Sequence, residues 1–159
     1  MVKQISEYSD EGLLRLFNNA IDYIEKGKMV EEAKAKIKEV ELEWDNRLKK
    51  YLFADERADR PKKGMLQTIS YKTGNDGLGQ RKRRLIIDHL ITGSLPFCGS
   101  PAYMAEWGYP NSKKRYRKLR DVLNQLIFKN QRFPDKEVAV GDWEDDLKYL
   151  KTTWKDKFP

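Results

Sequence analysis

The chain has almost none of the residue types that build redox or metal chemistry. Among its 159 residues there is one cysteine, Cys98, and one histidine, His89. A single cysteine excludes an internal disulfide and is typical of a reducing compartment. The sequence also lacks a Walker loop, a cysteine/histidine cluster and a His-Glu-x-x-His motif. It therefore predicts neither a metal nor a cofactor.

Long apolar runs are missing as well. No stretch approaches the roughly 20 apolar residues that span a bilayer. The opening residues, MVKQISEYSDEG, lack the apolar segment of a secretory signal, so we expect a cytoplasmic protein that does not bind membranes. Although 36% of residues are charged, four Trp, eight Tyr and six Phe are too many for a disordered polyelectrolyte. We predict a folded chain.

The first 53 residues carry apolar side chains at helical spacing. Ser9 or Asp10 can cap a first helix, and Gly27 is placed to end it. A second apolar stripe then continues for more than five turns. The pattern predicts an antiparallel helical hairpin over residues 1–53, available for packing, for homodimer formation or for a protein partner.

The segment 54–64, ADERADRPKKG, has no apolar side chain larger than alanine, and Pro61 and Gly64 interrupt any helix. We predict a linker or exposed loop there, followed by a basic helical domain over residues 65–159. The predicted helices of that domain are residues 80–91, 101–107 and 112–130, and a last helix that is capped by Asp142 and packs back through Trp143 and Trp154.

The sequence does not decide the conformation of two segments of this domain. Residues 65–73 fit a short helix or a strand, and residues 138–140 fit a short strand or an extended arm. The expected fold class is all-α, with one or two short strands as an option.

Positive charge is concentrated between residues 60 and 134. This stretch holds 16 basic and four acidic side chains, a net charge of +12, whereas residues 1–59 and 135–159 have net charges of −3 and −2. Such a field favours a polyanionic partner. Tyr71, Tyr109 and Tyr116 lie among the cations, where they are available to stack on bases or pack on sugars.

The first turn of the predicted helix 80–91 consists of Arg81, Lys82, Arg83 and Arg84. Cations at a helix N-terminus oppose the helix dipole, at a cost of about 0.3–1 kcal/mol each. An anion held between these side chains and the preceding glycine loop, residues 74–79, would remove that cost. The alternative is a solvated basic turn that Asp88 partly neutralises.

Residues 101–130 are similar in outline to a helix-turn-helix, with a short helix, a tight turn at Gly108 and a longer helix whose N-terminal half is basic. Ala105 precedes Gly108 by three positions, where that pattern usually has four. The resemblance favours duplex DNA over RNA. It implies base contacts by Ser112, Lys113, Arg115 and Tyr116 and phosphate contacts by Arg117, Lys118 and Arg120. The complete predicted nucleic-acid-binding set is Lys72, Arg81, Lys82, Arg83, Arg84, Lys113, Lys114, Arg115, Tyr116, Arg117, Lys118 and Arg120.

Arg84 and His89, in the string RLIIDH, are similar to the Arg-x4-His motif of HEPN-type ribonucleases, which are all-helical and often dimeric. The resemblance implies that Arg84 holds the scissile phosphate while His89 transfers a proton near neutral pH. Because His89 lies between Ile86 and Leu90, the alternative is a histidine at the edge of the core.

Three functions therefore stay open. We expect non-catalytic nucleic-acid binding, with duplex DNA preferred to RNA. The alternatives are a protein adaptor that uses the hairpin and the Trp-bearing last helix, and a HEPN-like ribonuclease.

Overall fold

The computed structural model describes residues 3–53, 63–98 and 100–158, with only the backbone described for 51–53. Every regular element in these ranges is helical, which confirms the all-α prediction. None of the described helices is long and apolar enough to cross a bilayer. The helices are α1 (Asp10–Lys26), α2 (Val30–Phe53), α3 (Met65–Thr68), α4 (Gln80–Thr92), α5 (Pro101–Trp107), α6 (Lys113–Asn130) and α7 (Glu137–Trp154), with short 3-10 turns at Ile5–Glu7, Pro134–Lys136 and Lys155–Lys157.

The chain divides into two compact units. The first unit contains residues 1–70 and 94–104, and the second contains residues 71–93 and 105–159. Most of the predicted linker 54–64 lies outside the described residues, so its role as a linker stays a prediction.

The first unit is built on α1 and α2, which pack against each other. The Ser9 hydroxyl accepts a hydrogen bond from the Gly12 amide at 3.0 Å, and Gly27 ends α1 in the left-handed conformation with φ of 68°. Both predicted helix ends are therefore confirmed. The rings of Phe17 and Trp44 lie 5.5 Å apart in the interface. The other buried side chains of the two helices include Leu13, Ala20, Ile21, Ala33, Ile37 and Val40.

Two connecting segments also belong to the first unit. Residues 65–68, open between helix and strand in the sequence, form α3, and the Met65 amide donates to the Tyr103 hydroxyl at 2.7 Å. The Ser94 hydroxyl donates to the Asp45 carboxylate at 3.0 Å, and its amide donates to Glu41 at 3.2 Å. These polar contacts fix the segment after α4 to α2.

The second unit is built on α4, α6 and α7, and α7 packs on both of the others. The Ser112 hydroxyl accepts from the Arg115 amide at 3.1 Å, as expected for the cap of α6. The core of the unit is aliphatic. Its fully buried side chains include Ile86, Ile87, Leu90, Leu119, Leu123 and Leu150.

The prediction for the last helix was wrong at its start. α7 begins at Glu137, so residues 138–140 are helical rather than extended, and Asp142 lies inside the helix instead of capping it. Branched side chains weaken a helix by less than about 1 kcal/mol each. Continuing the helix places Asp142 and Asp146 one turn apart on the same side, where both approach Arg83. The tertiary contact therefore outweighs local propensity.

Two glycine-to-alanine changes are expected to have opposite effects. Gly27→Ala forces a side chain into a left-handed conformation and should lower the free energy of unfolding by about 1 kcal/mol. Gly141 lies inside α7 with open space where a methyl group would stand, so Gly141→Ala should raise it by about 0.5–1 kcal/mol. Urea unfolding followed by circular dichroism measures both. Equal shifts of the same sign would contradict the assigned conformations.

Candidate nucleic-acid interface

Arg83, a predicted phosphate ligand, is buried with 4% of its surface exposed. Its Nε donates to Oδ2 of Asp146 at 2.8 Å, and its Nη1 donates to the Leu78 carbonyl at 2.9 Å. Asp142 lies 3.6 Å from Nη2. Burial alone would lower the pKa of Arg83, but the hydrogen bond and charge of Asp146 outweigh it and raise that pKa. Arg83 is a structural cation and is unavailable to an external phosphate.

The same two carboxylates engage the glycine loop. The Gly74 amide donates to Oδ2 of Asp142 at 2.9 Å, and the Tyr71 hydroxyl donates to Oδ2 of Asp146 at 2.5 Å. The Leu78 amide is bonded to the Lys72 carbonyl at 2.9 Å. The charge pattern predicts an external anion at this loop, but the anion that meets the loop and Arg83 in the structure is internal. It is supplied by α7 of the chain itself.

Arg84 is half-buried, and its guanidinium lies 4.7 Å from the centre of the Tyr149 ring. The Tyr149 hydroxyl donates to the Asp88 carboxylate at 2.9 Å, and the Trp154 indole donates to the same group at 3.0 Å. Asp88 thus joins α4 to α7 by hydrogen bonds, and Trp154 packs back onto α4.

Arg115 and Tyr116, predicted to contact bases, are 3% and 6% exposed. Nη1 of Arg115 donates to the Leu90 carbonyl at 2.7 Å and to the Gly93 carbonyl at 2.8 Å. These carbonyls lie at the C-terminal end of α4, where a cation is electrostatically favoured. Tyr116 packs inside the unit, with its ring 6.3 Å from that of Phe158. Neither residue can reach a base edge in this conformation.

His89 is 8% exposed, and its ring lies against Gly93 so closely that a methyl group there would be 2.3 Å from Cε1. Arg84 lies five residues earlier, about 140° around the helix. The motif that resembles the HEPN pattern is therefore not arranged as an acid–base site with both groups accessible. The geometry gives the ribonuclease hypothesis no support.

The remaining predicted residues lie at the surface to different degrees. Lys118 and Arg120 are half-buried, and each forms an ion pair at 2.9 Å, with Glu106 and Asp121 respectively. Lys82 is also half-buried, and Ser112 is the cap of α6. Among the predicted binding residues, the exposed cations are Lys72, Arg81, Lys113, Lys114 and Arg117. We call Lys113, Lys114 and Arg117 the α6 cation cluster, since all three lie within the first five residues of that helix.

The charge of the chain follows its two compact units. Residues of the first unit include 14 basic and 14 acidic side chains, whereas those of the second include 18 and 11. The whole net charge of +7 therefore belongs to the second unit. No protein-family model, curated protein or solved structure matches the chain.

Removing one partner of the buried ion pair should be strongly destabilising. Asp146→Asn leaves the Arg83 cation buried without a full countercharge, and we expect the free energy of unfolding to fall by about 3–5 kcal/mol. Asp145→Asn, an exposed neighbour on the same helix, is the matched control and should shift it by less than about 0.5 kcal/mol. Similar urea midpoints for the two variants would argue against a structural role for the pair.

The stability of the second unit should fall at alkaline pH. Burial raises the pKa of Tyr71, and the charge and hydrogen bond of Asp146 raise it further. In the unfolded chain the Tyr71 hydroxyl loses its proton near its ordinary pKa of 10.0, whereas in the folded chain it keeps that proton. The stabilisation that Tyr71 provides is therefore complete below pH 10 and is lost as the pH rises above it. Urea unfolding between about pH 9 and 11 should show a steeper loss for the wild type than for Tyr71→Phe. Parallel pH profiles would contradict this.

Proposed function

We propose that the protein binds nucleic acid, without catalysing a reaction on it, through exposed cations of the second unit. The observation that carries the proposal is the segregation of charge, with +7 on one compact unit and no net charge on the other. Evenly mixed charge would be enough for solubility. An excess on one unit creates a field that attracts a polyanion.

The α6 cation cluster is the strongest candidate for the phosphate contacts. Lys113, Lys114 and Arg117 are exposed at the N-terminal end of an 18-residue helix, whose dipole adds to the positive field. Arg81 and Lys72 are further exposed cations of the unit. Arg83, Arg115 and Tyr116 are left out of the proposed surface because they are buried.

The proposed mode is contact with the phosphate backbone rather than base reading. The sequence-based preference for duplex DNA rests on a helix-turn-helix outline, in which four residues face the bases. Arg115 and Tyr116, two of those four, lie in the interior. Phosphate contacts fix the position of a protein but carry no sequence information. We therefore expect binding to show little sequence preference. The binding test compares duplex DNA with single strands directly.

A second candidate function is the protein adaptor, and one observation favours it. The α1–α2 hairpin carries a groove of about 270 Å³ that is lined in part by Leu16, Tyr23 and Met29. Tyr23 and Met29 are 46% and 61% exposed, so apolar surface is available to a partner there.

Neutralising the α6 cation cluster separates the two functions. The triple variant Lys113→Gln/Lys114→Gln/Arg117→Gln should bind DNA more weakly, because it loses up to three phosphate contacts. For duplex DNA, each lost contact makes the slope of log K against log salt shallower by about 0.9. Fluorescence anisotropy with labelled oligonucleotides over a salt series measures both effects.

The matched control is Lys34→Gln/Lys36→Gln/Lys38→Gln, which removes the same charge from α2. Lys34 and Lys36 already lie within ion-pair distance of Glu31 and Glu39, so this change should alter binding little. An equal loss of DNA affinity in both triple variants would favour the protein-adaptor function over nucleic-acid binding. Undetectable binding by the wild type at about 50 mM salt would reject the nucleic-acid proposal.

A further inference from the structure

Tyr109 is the most exposed of the large hydrophobic side chains in the described part of the chain, with 86% of its surface accessible. Because so little of its side chain is buried, Tyr109 contributes almost nothing to the hydrophobic core. The turn that carries it is shaped by its neighbours, since Gly108 and Asn111 adopt left-handed φ angles of 71° and 56°, and Pro110 has a restricted φ. The aromatic ring is therefore not needed to make the turn.

The backbone on both sides of the ring is fixed by hydrogen bonds. The Gly108 carbonyl accepts from Nη2 of Arg115 at 3.2 Å, and the Tyr109 carbonyl accepts from the Ser112 hydroxyl at 2.6 Å. Two residues after Tyr109, the Asn111 amide donates to the Ile91 carbonyl at 2.8 Å. A ligand that stacks on this ring would order little more than the side chain itself, so the entropy cost of binding is small.

The α6 cation cluster begins directly after this turn. Lys113 and Lys114 are exposed, and the stem of Lys114 lies against Gly108, where a methyl group would come within 2.9 Å of its Cδ atom. An exposed aromatic ring and exposed cations are thus carried by one short, ordered segment. This combination suits a ligand that has both a flat aromatic face and a phosphate backbone.

We propose that Tyr109 is a stacking platform for an unpaired base of single-stranded nucleic acid, whose phosphates contact Lys113 and Lys114. This inference rests on the proposed function and narrows its ligand. Bases inside a duplex already stack on one another, whereas a single strand offers a free base face to the ring. The stacking contact tolerates any sequence, because every base has such a face.

The test uses the full chain and three labelled ligands of about 15 nucleotides: oligo(dT), the same strand with abasic positions, and a duplex. Tyr109→Ala should weaken oligo(dT) binding by about 5- to 150-fold, the range expected for one lost base stack. Tyr109→Phe keeps the ring and should bind oligo(dT) much as the wild type does. The wild type should bind the abasic strand about as weakly as Tyr109→Ala binds oligo(dT), and duplex binding should be the same for all three proteins.

Phe128→Ala, which removes another exposed aromatic side chain from α6, is the matched control and should bind oligo(dT) like the wild type. If the wild type binds nucleic acid but Tyr109→Ala binds oligo(dT) equally well, the platform is rejected and the proposed function stands. If the wild type binds neither strand nor duplex at about 50 mM salt, both proposals are rejected.

Discussion

A buried ion pair between α4 and α7 sets the geometry of the second unit. Asp146 has no exposed surface, and taking a carboxylate and a guanidinium out of water costs several kcal/mol for each ion. That cost is offset only when the remaining hydrogen-bonding positions are filled. Here Arg83 bonds to both oxygens of Asp146, and the Tyr71 hydroxyl adds a third donor. The loop before α4, the helix itself and the middle of α7 are therefore held by one polar cluster.

This constraint changes which cations can act at the surface. In the sequence, the four cations at 81–84 look equivalent. In the structure, Arg83 forms a buried ion pair with Asp146, and the Arg84 guanidinium stacks on the Tyr149 ring. In α6, Arg115 is likewise buried while its neighbour Lys114 is exposed. The second unit still has a positive field, because its Lys and Arg side chains outnumber its Asp and Glu side chains. The residues that project that field are fewer than the sequence suggests, since Lys113 and Arg117 are the exposed cations among those that the helix-turn-helix outline selects.

Much of the fold follows from local patterns, and the failures have physical reasons. The 3.6-residue apolar period predicts α1, α2, α4 and α6, and the side-chain caps at Ser9 and Ser112 mark two of their starts. The start of α7 could not be predicted, because residues 138–140 favour a strand locally and the gain from helix comes from Asp142 and Asp146 meeting Arg83. Such a contact joins positions far apart in the sequence, and no local pattern contains it.

The burial of two predicted site residues did have a signal in the sequence. Arg83 precedes Ile87 and Leu90 by four and seven positions, so it extends their apolar stripe by one turn. Arg115 precedes Leu119 by four positions in the same way. A cation that continues a buried stripe is a candidate for an interior ion pair or a helix-end contact. Composition alone hides this, because it counts every cation equally.

The interior position of Arg115 also links the scaffold to the proposed ligand site. Its guanidinium bonds to carbonyls at the end of α4 and to the Gly108 carbonyl in the turn before α6. A cation that the helix-turn-helix outline assigns to base reading therefore holds the turn on which Tyr109 is presented. One of the hydrogen bonds that order this turn therefore comes from a desolvated charge, which is costly to displace. Exposure of the ring and order of its supporting backbone thus have separate origins, and an exposed ring on an ordered backbone beside cations suits base stacking.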